Sequence, residues 1–168
     1  MTSAKKDRAI AVRITKDFGN IEISTPKLRK LIKAVCNRFG GPEPSEAGYE
    51  ISLVIVDDIH IRKLSDQFLN RNAATDCLSF DLSDQETSKN RASHSRVLEI
   101  VVNGQMAARQ AGLRGHSGEA ELALYITHGL LHQFGFDDAT DGAARNMHDA
   151  EDEILQQLGY GPVYNKDR

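Results

Sequence analysis

A short apolar run in the first third of the chain constrains the fold more than any other feature. Residues 51–56, Ile-Ser-Leu-Val-Ile-Val, are rich in β-branched side chains and almost continuously apolar, which is typical of a buried central strand. Further strands are predicted at residues 9–15, 77–82 and 97–102. We therefore expect a sheet of about four strands.

Helical periodicity occupies most of the remaining chain. The helices are predicted at residues 25–39, 59–68, 105–111, 119–134 and 143–158. Glycine is expected to end each of the last three, at Gly112, Gly135 and Gly159. Because strands and helices mix without strict alternation, the predicted fold class is α+β, a small mixed β-sheet flanked by helices. The strand order is not readable from the sequence.

The length of 168 residues predicts a single domain, with residues 1–8 and 161–168 as flexible tails. No apolar run approaches the roughly 18 residues of a membrane span, and no apolar signal core follows the charged N-terminus. The two cysteines, Cys36 and Cys77, lack the spacing of a disulfide framework or a thiolate zinc site. We therefore expect a cytoplasmic protein without a membrane partner.

The charge balance limits how this chain can bind nucleic acid. It has 24 acidic and 21 basic residues and a net charge of −3, so bulk attraction to polyanions is not expected. Any nucleic-acid contact must come from a local basic patch. Arg62, Lys63 and Arg71 form one such group around a predicted helix, and we interpret them as RNA-binding candidates.

The segment that carries chemistry is residues 127–138. His128 and His132 are four residues apart on a predicted helix, so both imidazoles lie on one face and can bind one metal ion. Gly135 allows a sharp turn after the helix, and Asp138 then arrives with an oxygen ligand. The sequence therefore predicts a metal site with a helical His pair and a third ligand from the turn. Asp137 is the competing oxygen donor, and spacing favours Asp138.

This spacing matches the zinc-protease pattern HExxHxxGxxH, with two departures. Gly129 stands where the protease has its general-base glutamate, which disfavours peptide cleavage. Asp138 replaces the third histidine. Two histidines and one carboxylate still form a three-ligand set with an open position, although the carboxylate makes the ion a weaker Lewis acid. We expect one divalent ion, with zinc favoured although the sequence cannot name it.

The same segment resembles the YbeY family of bacterial rRNA maturation factors, which are described as single-strand-specific metal-dependent endoribonucleases. Residues 128–138, HGLLHQFGFDD, are similar to the family signature HGxLHLxGYDH. Residues 74–80 resemble its PTDVLSF segment, residues 98–102 its GDIVI strand, and residues 115–117 its GHS. The resemblance covers about residues 9–160.

The resemblance implies a metal-dependent endoribonuclease that acts in 16S rRNA maturation and ribosome quality control, with rRNA and the small ribosomal subunit as partners. It implies metal binding by His128, His132 and Asp138, with His128 and a nearby cation as the catalytic groups. The arginine that the family has before its conserved loop falls on Leu69, so Arg71 is the candidate to steady the phosphate.

The departure at Leu69 keeps an alternative open. A noncatalytic, zinc-stabilised assembly factor that binds rRNA or ribosomal protein would have the same metal site without needing the cation. The oligomeric state is not predicted.

Overall fold

The computed structural model describes residues 9–40, 48–83, 95–161 and 163–164. A four-stranded mixed sheet lies at its centre, with the strand order β1-β2-β4-β3. The strands are β1 (Ile10–Lys16), β2 (Tyr49–Val56), β3 (Cys77–Asp81) and β4 (Arg96–Asn103). The first, second and fourth strands are parallel, and β3 runs antiparallel to β4 at one edge. The α+β class and the four-stranded sheet predicted from the sequence are confirmed.

Five helices surround this sheet in the described part of the chain. They are α1 (Thr25–Phe39), α2 (Asp58–Leu69), α3 (Gly104–Arg114), α4 (Gly118–Gln133) and α5 (Asp141–Gln157). The prediction that Gly112 ends α3 is wrong, because the helix continues to Arg114. The backbone becomes left-handed only at Gly115, with φ 72°.

The two faces of the sheet are covered differently. Side chains of β2 and β4 that point to one face, including Leu53 and Ile100, pack with α1, α4 and α5 in the main apolar core. Val101 points to the other face, where Ile61 of α2 covers it. Alternation along the strands therefore separates α2 from α4 by the thickness of the sheet.

Helix α4 is the most deeply buried helix. Eleven of its sixteen residues are buried, so its position is set by packing along nearly its whole length. It packs tightly on the sheet at Gly129, where an added Cβ would lie 2.6 Å from Cys77 Sγ and 3.3 Å from Ile100 Cγ2. A glutamate at this position would meet the sheet directly, so the departure from the protease pattern is also a packing requirement.

The predicted tails lie mostly outside the described residues. Val163 and Tyr164 are described, and Val163 is buried while the Tyr164 N–H donates to Asp152 Oδ1 at 3.0 Å. These two residues are thus held against α5. Among the helices that the structure describes, none combines the length and the apolar character needed to cross a bilayer.

We predict that Gly129→Ala lowers the unfolding free energy. Alanine normally favours a helix over glycine by about 1 kcal/mol, but here the new methyl group overpacks the contact with Cys77 and should cost about 1–3 kcal/mol. The double variant Gly129→Ala/Cys77→Ala should recover much of the lost unfolding free energy, because alanine at position 77 removes the sulfur that the new methyl group contacts. Urea denaturation of the single and double variants measures this, and a Gly129→Ala protein more stable than wild type contradicts the packing argument.

Candidate metal centre

Three predicted ligand side chains converge at the C-terminal end of α4. His128 Nε2 and His132 Nε2 are 3.0 Å apart. Asp138 Oδ2 lies 3.8 Å from the first nitrogen and 3.9 Å from the second. The structure therefore brings together the three residues that the sequence predicts as metal ligands, and their spacing is suited to a single metal ion.

The distances can be tested against the size of a metal ion. A point equidistant from three atoms with these separations lies about 2.1 Å from each, which is the length of zinc bonds to imidazole nitrogen and carboxylate oxygen. The side chains of His132 and Asp138 are 34% and 47% exposed, so one side of this point faces solvent. Within the described ranges, no other histidine, cysteine or carboxylate joins the group. The residues thus fit an ion with an open coordination position.

The outer nitrogens of both imidazoles have hydrogen-bond acceptors. His128 Nδ1 donates to Glu151 Oε1 at 2.7 Å, and His132 Nδ1 donates to the Phe136 carbonyl at 3.2 Å. A proton on each Nδ1 leaves the lone pair on each Nε2. Both lone pairs then face the same point, the arrangement found in metal-bound histidines.

The turn after α4 determines which aspartate faces the histidines. Gly135 takes a φ of 93°, a conformation that favours glycine, and the Phe136 N–H bonds back to the Leu131 carbonyl at 3.0 Å. Asp137 Oδ1 then accepts the Ala139 N–H at 2.7 Å. Asp137 therefore caps the turn, and Asp138 is the carboxylate that approaches the imidazoles.

The site contains two residues that were not predicted from the sequence, Glu151 and His148. Glu151 is fully buried on α5, and its second oxygen lies 3.0 Å from His148 Nδ1. Its place on the apolar face of α5, between Met147 and Ile154, is the signal that could have identified it, because a carboxylate is buried only where it has partners.

The carboxylates around His128 change its proton affinity. Burial alone lowers the pKa of His128, but the hydrogen bond and charge of Glu151, together with the charges of Asp76 and Asp138, raise it above its ordinary value. The same negative charges favour a divalent cation at Nε2.

The basic residues predicted to bind RNA lie on a different element. Arg62 and Lys63 are exposed on α2, on the opposite face of the sheet from α4. Arg71 is also exposed and follows α2 directly, with its backbone N–H bonded to the Ser65 carbonyl at 3.3 Å. Leu69, in the last turn of α2, is 49% exposed. The structure places these four residues together on α2 and its C-terminal end.

Comparisons with known proteins agree with the motifs of the sequence. The model of the family described as Endoribonuclease YbeY matches residues 13–159. The chain is 34% identical over 140 residues to the Endoribonuclease YbeY of Desulforamulus reducens, a match that covers 82% of this chain and 92% of that protein. It is 31% identical over 152 residues to the Endoribonuclease YbeY of Macrococcus caseolyticus, covering 87% and 96%.

The fold also has a solved counterpart. The solution structure of TM1509 from Thermotoga maritima superimposes with a TM-score of 0.54 over 89% of each chain. The sequence identity is 19%, so this likeness concerns the fold alone.

We predict that Glu151→Gln weakens metal binding roughly 10- to 100-fold, the usual effect of losing a carboxylate that orients a ligating histidine. The amide keeps the volume of the side chain but removes the charge. Glu153→Gln is the matched control, because Glu153 lies on the same helix and pairs with Arg38 at the surface. Zinc affinity measured by chelator competition tests this, and equal affinities for the two variants would contradict the role of Glu151.

We predict that metal affinity falls as the pH is lowered, with the loss beginning above pH 6.5. The raised pKa of His128 means that protons compete with the metal at a higher pH than for an ordinary histidine of pKa 6.5. In Glu151→Gln the principal cause of the rise in the His128 pKa is gone, so the loss should begin at a lower pH. Zinc affinity from pH 5 to 8 measures both curves, and coincident midpoints would refute the electrostatic argument.

Proposed function

The chain belongs to the YbeY endoribonuclease family, and on that premise we propose that it is a metal-dependent endoribonuclease specific for single-stranded RNA. The proposal extends to 16S rRNA maturation and ribosome quality control in the cytoplasm, with rRNA and the small ribosomal subunit as partners. The observation that supports it best is the convergence of His128, His132 and Asp138 at the distances of a single ion.

Zinc is the proposed metal. Two imidazoles and one carboxylate form a known catalytic ligand set for zinc, and the solvent-facing side leaves room for a fourth ligand. When bound, the ion would supply a Lewis acid for the phosphoryl oxygen or an activated water. The protein's own part is to hold His128 and His132 with their Nε2 atoms toward one point, through the hydrogen bonds that their Nδ1 atoms donate.

The substrate contacts that we propose are basic. Arg71 is the cation proposed to steady the phosphate beside His128, and Arg62 and Lys63 are proposed to contact the RNA backbone. These proposed roles are supported by the exposure and the positive charge of the three side chains. Because Arg62 and Lys63 lie across the sheet from α4, an RNA strand that contacts them and the metal centre would have to pass around the sheet.

A second candidate function rests on Leu69. An apolar side chain stands where the family has an arginine, and it is 49% exposed. A noncatalytic, zinc-stabilised assembly factor that binds rRNA or ribosomal protein would tolerate this change, since binding does not require a cation at the transition state. A peptidase is disfavoured because Gly129 packs against Cys77 and Ile100 and leaves no room for a general base.

We predict that zinc-loaded protein cleaves single-stranded rRNA fragments and that His132→Ala lowers kcat/KM by roughly two orders of magnitude or more, because a metal ligand is lost. His60→Ala is the control, because this exposed histidine lies on α2 and its imidazole faces Asp57. Gel assays with matched single- and double-stranded substrates measure the rates, and circular dichroism confirms folding.

Two outcomes would overturn the proposal. Equal cleavage by wild type and His132→Ala would identify a contaminating nuclease. No cleavage by wild type, together with co-sedimentation with small ribosomal subunits, would favour the assembly factor.

A further inference from the structure

A stacked pair of rings lies next to the predicted metal ligand His128. The rings of His148 and Tyr164 are nearly parallel, with an interplanar angle of 9° and centroids 3.5 Å apart. His148 is largely buried, whereas Tyr164 is 44% exposed. His148 therefore covers one face of the Tyr164 ring, and the residue keeps an exposed surface that a ligand can reach.

This pair continues toward the metal ligands. The ring of His148 is within 14° of parallel to that of His128, with centroids 6.4 Å apart. The two separations put the Tyr164 ring within about 10 Å of His128. Stacked nucleotides are spaced by about 3.4 Å along a strand, and a base on the outer face of Tyr164 adds one such distance. A nucleotide within roughly four positions of one held at the metal can therefore reach Tyr164.

The Tyr164 ring is held in place by its backbone. The Tyr164 N–H donates to the buried Asp152 carboxylate at 3.0 Å. Arg114 Nη2 donates to the carbonyls of Val163 at 2.7 Å and of Tyr164 at 3.1 Å. Val163 is 2% exposed. A ring anchored in this way loses little conformational freedom when a ligand stacks on it.

The charge around the ring indicates which part of a nucleotide fits there. The charged groups that contact Tyr164 are the Asp152 carboxylate, which accepts its N–H, and the Arg114 guanidinium, which donates to its carbonyl. Both charged groups contact the backbone of Tyr164, so the ring itself offers a nucleotide an uncharged aromatic surface. The surface therefore favours base stacking over a phosphate contact.

Resting on the proposed function, we propose that the outer face of Tyr164 stacks an unpaired base of the RNA substrate and so helps to select single-stranded RNA. A base in a duplex is already stacked on both faces and cannot add a third partner. Stacking on an aromatic ring tolerates every base, so this contact selects for strandedness and not for sequence.

The test compares Tyr164→Leu with Tyr164→Phe in the full-length, zinc-loaded protein. The probe is a single-stranded 2′-O-methyl RNA oligonucleotide that carries one 2-aminopurine, moved along the strand in successive probes. We expect Tyr164→Leu to bind about tenfold more weakly, on the order of the loss of one stacked base, and Tyr164→Phe to bind like wild type. Quenching should be strongest within about four nucleotides of the cleavage position.

Two further measurements separate stacking from other roles. Because the contact does not neutralise a phosphate, the dependence of affinity on salt should have the same slope in Tyr164→Leu and wild type. On a cleavable RNA, KM should rise about tenfold while kcat stays unchanged. Tyr160→Leu is the control, since this tyrosine lies against Lys27 of α1, with the ammonium 4.1 Å from its ring, and should leave RNA affinity unchanged.

Several results would overturn the inference. These are unchanged affinity in Tyr164→Leu, a shallower salt dependence, equal quenching with a duplex probe, or a parallel loss of zinc content that would show the ring merely supports His148. If wild type shows the predicted quenching but cleaves no RNA, the stacking site stands and the proposed endonuclease activity fails.

Discussion

Two nitrogen lone pairs that face each other at 3.0 Å are the constraint on which this site depends. Both imidazoles donate from Nδ1, to Glu151 and to the Phe136 carbonyl, so each Nε2 is left as an acceptor. Two acceptors at this distance repel unless a proton or a cation lies between them. The nearby carboxylates of Asp138 and Glu151 add negative charge to the same region. A divalent cation relieves the repulsion and balances the carboxylates at once.

The fold holds these groups by packing more than by local preference. Helix α4 is buried along most of its length and packs tightly on the sheet at Gly129, one residue after the first ligand. The position of α4 therefore fixes the backbone positions of both His128 and His132. The left-handed backbone at Gly135 then returns the chain so that Asp138 comes within 4 Å of both imidazoles. On α5, Glu151 completes the arrangement from the other side.

The sequence predicts those parts of the molecule that depend on neighbouring residues. The alternation of apolar residues and the β-branched side chains predicted the strands. The helical spacing predicted the His pair and the turn that follows it. The sequence offers two glycines, Gly112 and Gly115, that could end α3. Only the observed backbone shows that Gly115 is the one with the left-handed conformation. The partnership of Glu151 with His128 joins residues 23 positions apart, and no local pattern encodes it. Similarly, no local pattern encodes that Arg62 and Lys63 lie across the sheet from α4.

The most direct measurement of the metal site is X-ray absorption at the zinc edge combined with elemental analysis of wild type and Asp138→Ala. We expect one ion per chain in wild type, with nitrogen and oxygen neighbours at about 2.0–2.2 Å that include imidazole, and a marked loss of metal from Asp138→Ala. Sulfur neighbours at about 2.3 Å, or full zinc content in Asp138→Ala, would contradict it.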